Sequence, residues 1–160
     1  MAELSVRPMT DVEFERWQRH LAEEFAAEQV AAGNWAADEA LQHALDGNAA
    51  LLPDGLATEG MLLLKGVRPD GTVVGTLWIG LTHPRRTPDC AFIYDIEVDQ
   101  EHQGAGYGRA LLAAGEDAVR AEGVGSLELN VFGGNTRAIG LYESSGYTVV
   151  TQQMRKALRS

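Results

Sequence analysis

The period of the apolar positions changes several times along the chain, and each change marks an element. Residues 4–8 alternate and predict a short strand ended by Pro8. Thr10-Asp11-Val12-Glu13 has capping-box spacing, after which Phe14, Trp17, Leu21 and Phe25 recur at a helical interval up to Gly33-Asn34. A second helix is expected over residues 36–45, with Ala37, Ala40, Leu41, Ala44 and Leu45 on one side and Gly47-Asn48 as its stop. Pro53-Asp54-Gly55 is a turn. Strands opening at Met61 and spanning residues 72–81 flank the tight turn Arg68-Pro69-Asp70-Gly71 and predict a hairpin. Beyond the loop at residues 83–89, the pattern predicts a strand over 91–98 and a helix over 108–122. A strand over 127–131, a helix over 135–145 stopped by Gly146, and a last strand over 147–150 complete the order βααβββαβαβ. Strand–helix–strand units imply parallel pairing and the hairpin implies antiparallel pairing. The expected class is therefore mixed α/β with one central sheet flanked by helices.

The chain of 160 residues suits a single domain over 1–160. Its 45% hydrophobic and 22% charged residues are globular values. A net charge of −10, with Lys65 and Lys156 the only lysines, argues against a nucleic-acid surface and against adhesion to an anionic membrane. It leaves open a small anionic ligand held by backbone amides. No apolar run approaches the ~20 residues of a membrane span. The first residues lack the pattern of a signal peptide, so a reducing, cytoplasmic setting is expected. The lone Cys90 reads as a small buried filler. His20, His43, His83 and His102 show no metal-ligand spacing, and no metal is expected. The sequence permits a homodimer, but no stripe or patch demands one.

Two segments carry candidate chemistry. In the first, the strand containing Tyr94, Asp95, Ile96, Glu97 and Val98 leads to Gln103-Gly104-Ala105-Gly106-Tyr107-Gly108-Arg109 and then a helix. Alternating glycines let backbone amides approach an anion, and a helix start favours negative charge. The spacing is neither a Walker A loop nor a dinucleotide fingerprint. In the second segment, Asn135 reads as a helix N-cap, and Tyr142, seven residues later, shares its face.

Together these segments resemble the GNAT superfamily of acyl-CoA N-acyltransferases. The resemblance rests on Gln103-Gly104-Ala105-Gly106-Tyr107-Gly108, followed by Arg109-Ala110-Leu111-Leu112, and on the later Asn135, Ala138 and Leu141 to Tyr147; it covers residues 91–147. It implies a GNAT-like fold and acetyl-CoA, or another acyl-CoA, as cofactor. Ile96, Glu97 and Val98 would then border the pantetheine arm, with backbone bonds from Ile96 and Val98. Gln103, Gly104, Ala105, Gly106, Tyr107, Gly108 and Arg109 would surround the pyrophosphate. Asn135 would contact the cofactor, and Tyr142 would stand beside the thioester sulfur as general acid. The implied reaction is direct transfer of acetyl to the primary amine of a small molecule.

The family often places its base where this chain has Phe92 and Tyr94, so the base does not carry over. Tyr94, Asp95 and Glu97 are the local candidates. Asp95 and Glu97 share one strand face unless a bulge intervenes. Glu23, Glu24, Glu28, Asp38 and Glu39 make the first two helices acidic, either as a solvated face or as an attraction for a cationic amine. Trp35 and Trp78 are core or acceptor-pocket residues. The rival readings are a non-catalytic acyl-CoA-binding module, a Rossmann-type nucleotide binder and an enzyme acting on protein amines.

Overall fold

The computed structural model describes residues 2–159. Contacts divide the chain into two compact units, Met1–Asn130 and Val131–Ser160. The first contains β1 (Ser5–Pro8), α1 (Asp11–Ala31), α2 (Ala40–Leu51), β2 (Met61–Val67), β3 (Val73–Gly80), β4 (Ala91–Val98), α3 (Tyr107–Ala121) and β5 (Leu127–Leu129). The five strands form one sheet in the order β1-β2-β3-β4-β5. Pairing is antiparallel from β1 to β4 and parallel between β4 and β5. This is the expected mixed α/β sheet.

The capping box forms as predicted. The Thr10 hydroxyl accepts from the Glu13 amide, and the Glu13 carboxylate accepts from the Thr10 amide. Arg7 grips the same carboxylate through two bonds of 2.8 and 3.0 Å. The bond to Arg7 outweighs partial burial and holds the Glu13 pKa down at about 2. The end of β1 and the start of α1 are thereby tied together. Trp17, Ala22 and Ala26 form the buried side of α1, and Phe25 sits at its rim. Ala22 and Ala26 meet Ala40 and Ala44 of α2, small residues that let the two helices approach closely.

The two sheet faces are filled differently. On the α1 face, Trp17 and Trp78 join Met9, Leu52 and Leu63. Trp78 is therefore a core residue, only 2% exposed, whereas Trp35 packs edge-on against Phe25 near the helix pair. On the other face α3 lies over glycines. A Cβ at Gly66 would meet Leu111 at 2.8 Å, and the helix glycine Gly115 stands against Leu77 and Ile79. A Cβ at Gly75 would meet both the Glu97 carbonyl at 2.6 Å and Leu111. These absent side chains set the depth at which α3 seats.

Helix α2 and strand β5 differ from the expected bounds, α2 beginning at Ala40 instead of residue 36, and one expected strand is absent. Gly47-Asn48 does not stop α2, which continues to Leu51. Asn48 is buried within the helix, and the break comes just before Pro53, which disfavours helical backbone in the residue preceding it. β5 ends at Leu129, short of Val131. The last strand, over 147–150, does not form: Val149 and Val150 are 70% and 67% exposed. Val131–Ser160 contains no strand among its described residues, so the segment has no ladder partner within that unit.

The second unit is built on α4 (Thr136–Ser144). Asn135 caps it as expected, its side-chain oxygen accepting from the Ala138 amide at 3.2 Å. Gly146 closes it with φ of 96°. The Tyr147 amide bonds to the Tyr142 carbonyl, and the two rings lie 6.0 Å apart.

Gly75→Ala tests the seating of α3. The added methyl meets backbone that cannot step aside, and about 1–3 kcal/mol of stability should be lost. A lowered denaturant midpoint with an unchanged slope is the expected result.

Candidate active site

The site begins with an irregularity in β4. Its register against β3 pairs Trp78 with Asp95 and Ile79 with Ile93, so Tyr94 is an extra residue, a β-bulge. Before the bulge, the side chains on the α1 face are Phe92 and Tyr94; after it, they are Asp95 and Glu97. Tyr94 stacks on Trp78 at 4.6 Å and meets Phe92 edge-on at 5.0 Å. Asp95 accepts a 2.9 Å bond from the Trp17 indole, and Glu97 reaches His20 of α1 at 3.2 Å. Asp95 and Glu97 share a face, as the alternation predicted, and the bulge adds Tyr94 to it.

The same irregularity precedes a parting of strands. β5 pairs with β4 only at Ala91, Phe92 and Ile93. From there to Val98, β4 is paired with β3 alone among the described strands. The Asp99 amide bonds to the Val74 carbonyl of the neighbouring strand. Antiparallel alternation then turns the backbone groups of Ile96 and Val98 outward, away from β3. One of these groups is already used: Gln103 Nε2 donates to the Val98 carbonyl at 3.0 Å. That bond ties the glycine loop back onto the strand that feeds it.

The loop passes a single 3₁₀ turn at Gln100–His102 and enters α3. Gly104 and Gly106 both have φ of 84°, a left-handed backbone that a side chain would strain. No atom lies within 4 Å of a Cβ built at Gly104. The loop therefore meets the positive end of a 15-residue helix in a backbone conformation that glycine allows.

On the α1 face a cavity of about 290 Å³ opens between helix and sheet, its walls including Arg16, Trp17, His20, Lys65, Thr76 and Glu97. A cluster of acidic groups adjoins Glu97 of this wall. Burial, aided by the charge of Glu97, raises the pKa of Glu24; burial, aided by Glu24 and Glu97, does the same for Glu28. For Asp95, burial outweighs the Trp17 bond, and with the charges of Glu97, Glu24 and Glu28 it lifts the pKa to about 7. Burial alone raises the Tyr94 phenol. Of the acidic residues singled out in the sequence, Glu24 and Glu28 thus belong to one acidic cluster with Glu97. Glu39 makes a 3.6 Å pair with His43 on α2 instead.

Among the described residues, two groups each bring potential ligand atoms within 4.8 Å of one another: His83, Cys90 and Glu128 form one, and His20, Glu24 and Glu97 the other. Neither is assigned to a metal. In the first, the Arg85 amide donates to His83 Nδ1, His83 Nε2 bonds to Glu128, and the Arg85 guanidinium supplies a cation to that carboxylate. Cys90 is buried there, and burial pushes its thiol pKa up, which fits the filler reading. In the second, histidine already stands among the carboxylates.

The expected site residues thus fall into two sets. Tyr94, Ile96, Glu97, Val98 and the run from Gln103 to Arg109 are contiguous in the first unit. Asn135 and Tyr142 belong to the second unit. The sequence reading missed His20 as a partner of Glu97. The spacing of His20 and Glu24 by one helical turn was visible, but contact with a residue 77 positions away was not.

Residues 14–147 match the model of the acetyltransferase (GNAT) family. The chain belongs to this family. The match runs through both units and makes the protein a transferase enzyme. Among relatives, the uncharacterized N-acetyltransferase YycN of Bacillus subtilis (strain 168) is 33% identical over 97% of this chain and 99% of its own length. The YycN crystal structure superposes with a TM-score of 0.91, covering 98% of this chain and 99% of that one. The mycothiol acetyltransferase of Beutenbergia cavernae is 43% identical, over 51% of this chain and 26% of its own. AAC(6')-Iy, solved in complex with the bisubstrate analog CoA-S-monomethyl-acetylneamine, shares the fold at a TM-score of 0.63 and 15% identity, covering 99% of this chain and 100% of that one. The GNAT fold expected from the glycine loop is therefore present. No helix among the described residues is long and apolar enough to cross a membrane.

Asp95 makes the stability of this GNAT domain fall as pH rises. Its folded pKa of about 7 exceeds the ordinary 3.8, so the folded state holds the proton more tightly. Its stabilising contribution is present below about pH 4 and is lost between there and about 7. Asp95→Asn should flatten that part of the Tm–pH curve relative to the unsubstituted protein.

Proposed function

We propose that this chain transfers an acetyl group from acetyl-CoA to the primary amine of a small molecule by direct attack. The observation that carries the reading is the open edge of β4, with Ile96 and Val98 facing outward, leading directly to the glycine loop. An amide-bearing arm can pair with such an edge as an added strand would. A pyrophosphate would suit the loop, because its left-handed glycines and the open Cβ space at Gly104 let an anion approach the backbone closely. The CoA-containing analog bound by AAC(6')-Iy and the N-acetyltransferase name of YycN support the same donor. The mycothiol acetyltransferase supports a small-molecule acceptor.

Acetyl-CoA would supply the acyl group as a thioester, and the chain's residues would supply binding and proton transfer. Ile96 and Val98 would hold the arm by their backbones, with Gln103, Gly104, Ala105, Gly106, Tyr107, Gly108 and Arg109 around the phosphates. Glu97 is the better placed of the candidate bases, since it lines the cavity, while Tyr94 is stacked against Trp78 and its phenol holds its proton more firmly. The carboxylates of Glu24, Glu28 and Glu97 would draw a cationic amine toward the cavity. Tyr142 would donate the proton to the departing sulfur, and Asn135 would contact the cofactor in addition to capping α4.

Thiol release with a panel of amines tests the reading: one or more amines should accelerate it, and release that no amine accelerates would overturn it in favour of a non-catalytic binder. Tyr142→Phe should then lower kcat by about 10²-fold or more while calorimetric acetyl-CoA affinity changes little.

A further inference from the structure

A histidine on α1 stands at the mouth of the cavity with no part yet in the reaction. His20 Nε2 lies 3.2 Å from Glu97 Oε1 and 3.3 Å from Glu24 Oε1. About half of the His20 side chain is exposed, against 30% for Glu97. The pair therefore runs from the cavity wall to solvent. The geometry of α1 enforces it: Trp17, anchored on Trp78 and Asp95, fixes the helix rotation, and His20 follows three residues on.

We propose that His20 is a positioning and proton-carrying residue that accepts from Glu97 the proton lost by the acceptor amine and releases it to water. The inference rests on the acetyl-transfer reading above. The balance is simple. As the amine nitrogen bonds to the acyl carbon, its proton passes to the Glu97 carboxylate and on to His20 Nε2. The carbon–sulfur bond breaks, the sulfur takes a proton from Tyr142, and the Tyr142 phenolate recovers one from water. His20 must begin each cycle neutral, with its proton on Nδ1 and the Nε2 lone pair ready to accept, and afterwards returns a proton to solvent.

The charged surroundings suit this task. Glu24 on the same helix and Glu97 and Asp95 on β4 face His20, while Glu13, Arg16, Lys65 and Asp99 line the same cavity. Burial lowers the His20 pKa, but the Glu97 hydrogen bond and the charges of Glu97, Glu24 and Asp95 raise it further, and the net shift is upward from 6.5. Below that pKa the imidazolium strengthens its pairing with Glu97; above it the neutral ring can accept a proton.

The test pairs an NMR titration of the His20 ring with the pH profile of kcat/KM, in the full chain and in two variants. The His20 ring should titrate above 6.5, and kcat/KM should rise with pH through the same ionisation. In His20→Asn that ionisation should vanish from the rate profile and the high-pH rate should drop about tenfold or more. Glu24→Gln should move the NMR and kinetic midpoints down together by about 0.2–0.7 unit. A His20→Asn profile that keeps the wild-type shape and falls by a constant factor would overturn the proposal while leaving acetyl transfer intact. A kinetic midpoint that ignores the NMR shift in Glu24→Gln would do the same. Absence of amine-dependent transfer in the unsubstituted protein would overturn both this inference and the reading beneath it.

Discussion

One extra residue in β4 decides the arrangement of the site. Without Tyr94 opposite the Trp78 position, strict alternation would send either Phe92 and Tyr94 or Asp95 and Glu97 to the α1 face, but not all four. The bulge places an aromatic wall and two carboxylates side by side, and a bulged strand bends and twists more strongly than a regular one. Immediately before that bend, the pairing to β5 ends at Ile93. The strand thus presents side-chain chemistry on one face and unpaired backbone along one edge. The proposed transfer places its acyl donor on that edge and its acceptor on that face.

The second constraint is α1, which turns a strand irregularity into a pocket. Trp17 meets Trp78 edge-on at 5.3 Å and donates its indole N–H to Asp95. That one side chain both fills the core and satisfies a carboxyl group that burial would otherwise penalise. The start of the helix is held by the Thr10–Glu13 cap and by Arg7 across to β1. With the beginning and rotation of α1 both fixed, His20 and Glu24 come to rest over Glu97. Local signals near residue 10 therefore position side chains that meet a strand at residue 97.

The elements that could be read from the chain are those with local causes. The capping box, the Arg68-Pro69-Asp70-Gly71 hairpin, the limits of β4 and the glycine loop all depend on neighbours in sequence. Gly47-Asn48 misled because helix-breaking residues were weighed without the packing that buries Asn48 inside α2. The apolar run at Tyr147–Val150 has β-forming residues, yet a strand needs a partner, and its own unit provides none. The bulge left no composition signal, since an aromatic residue suits a regular strand equally well. The His20–Glu97 contact is a product of topology, and sequence spacing carries no trace of it. The expectation of a donor site came from the family resemblance of the glycine loop, whereas the His20–Glu97 pairing needed the packed structure.

The account stands on the outward-facing edge of β4, and backbone hydrogen exchange measures that edge directly. Amide exchange should be recorded by NMR with and without saturating acetyl-CoA. The Ile96 and Val98 amides should gain protection on binding, while Glu97, already paired with Thr76 across the strands, should change little. Saturable binding that leaves Ile96 and Val98 exchanging as before would contradict the account.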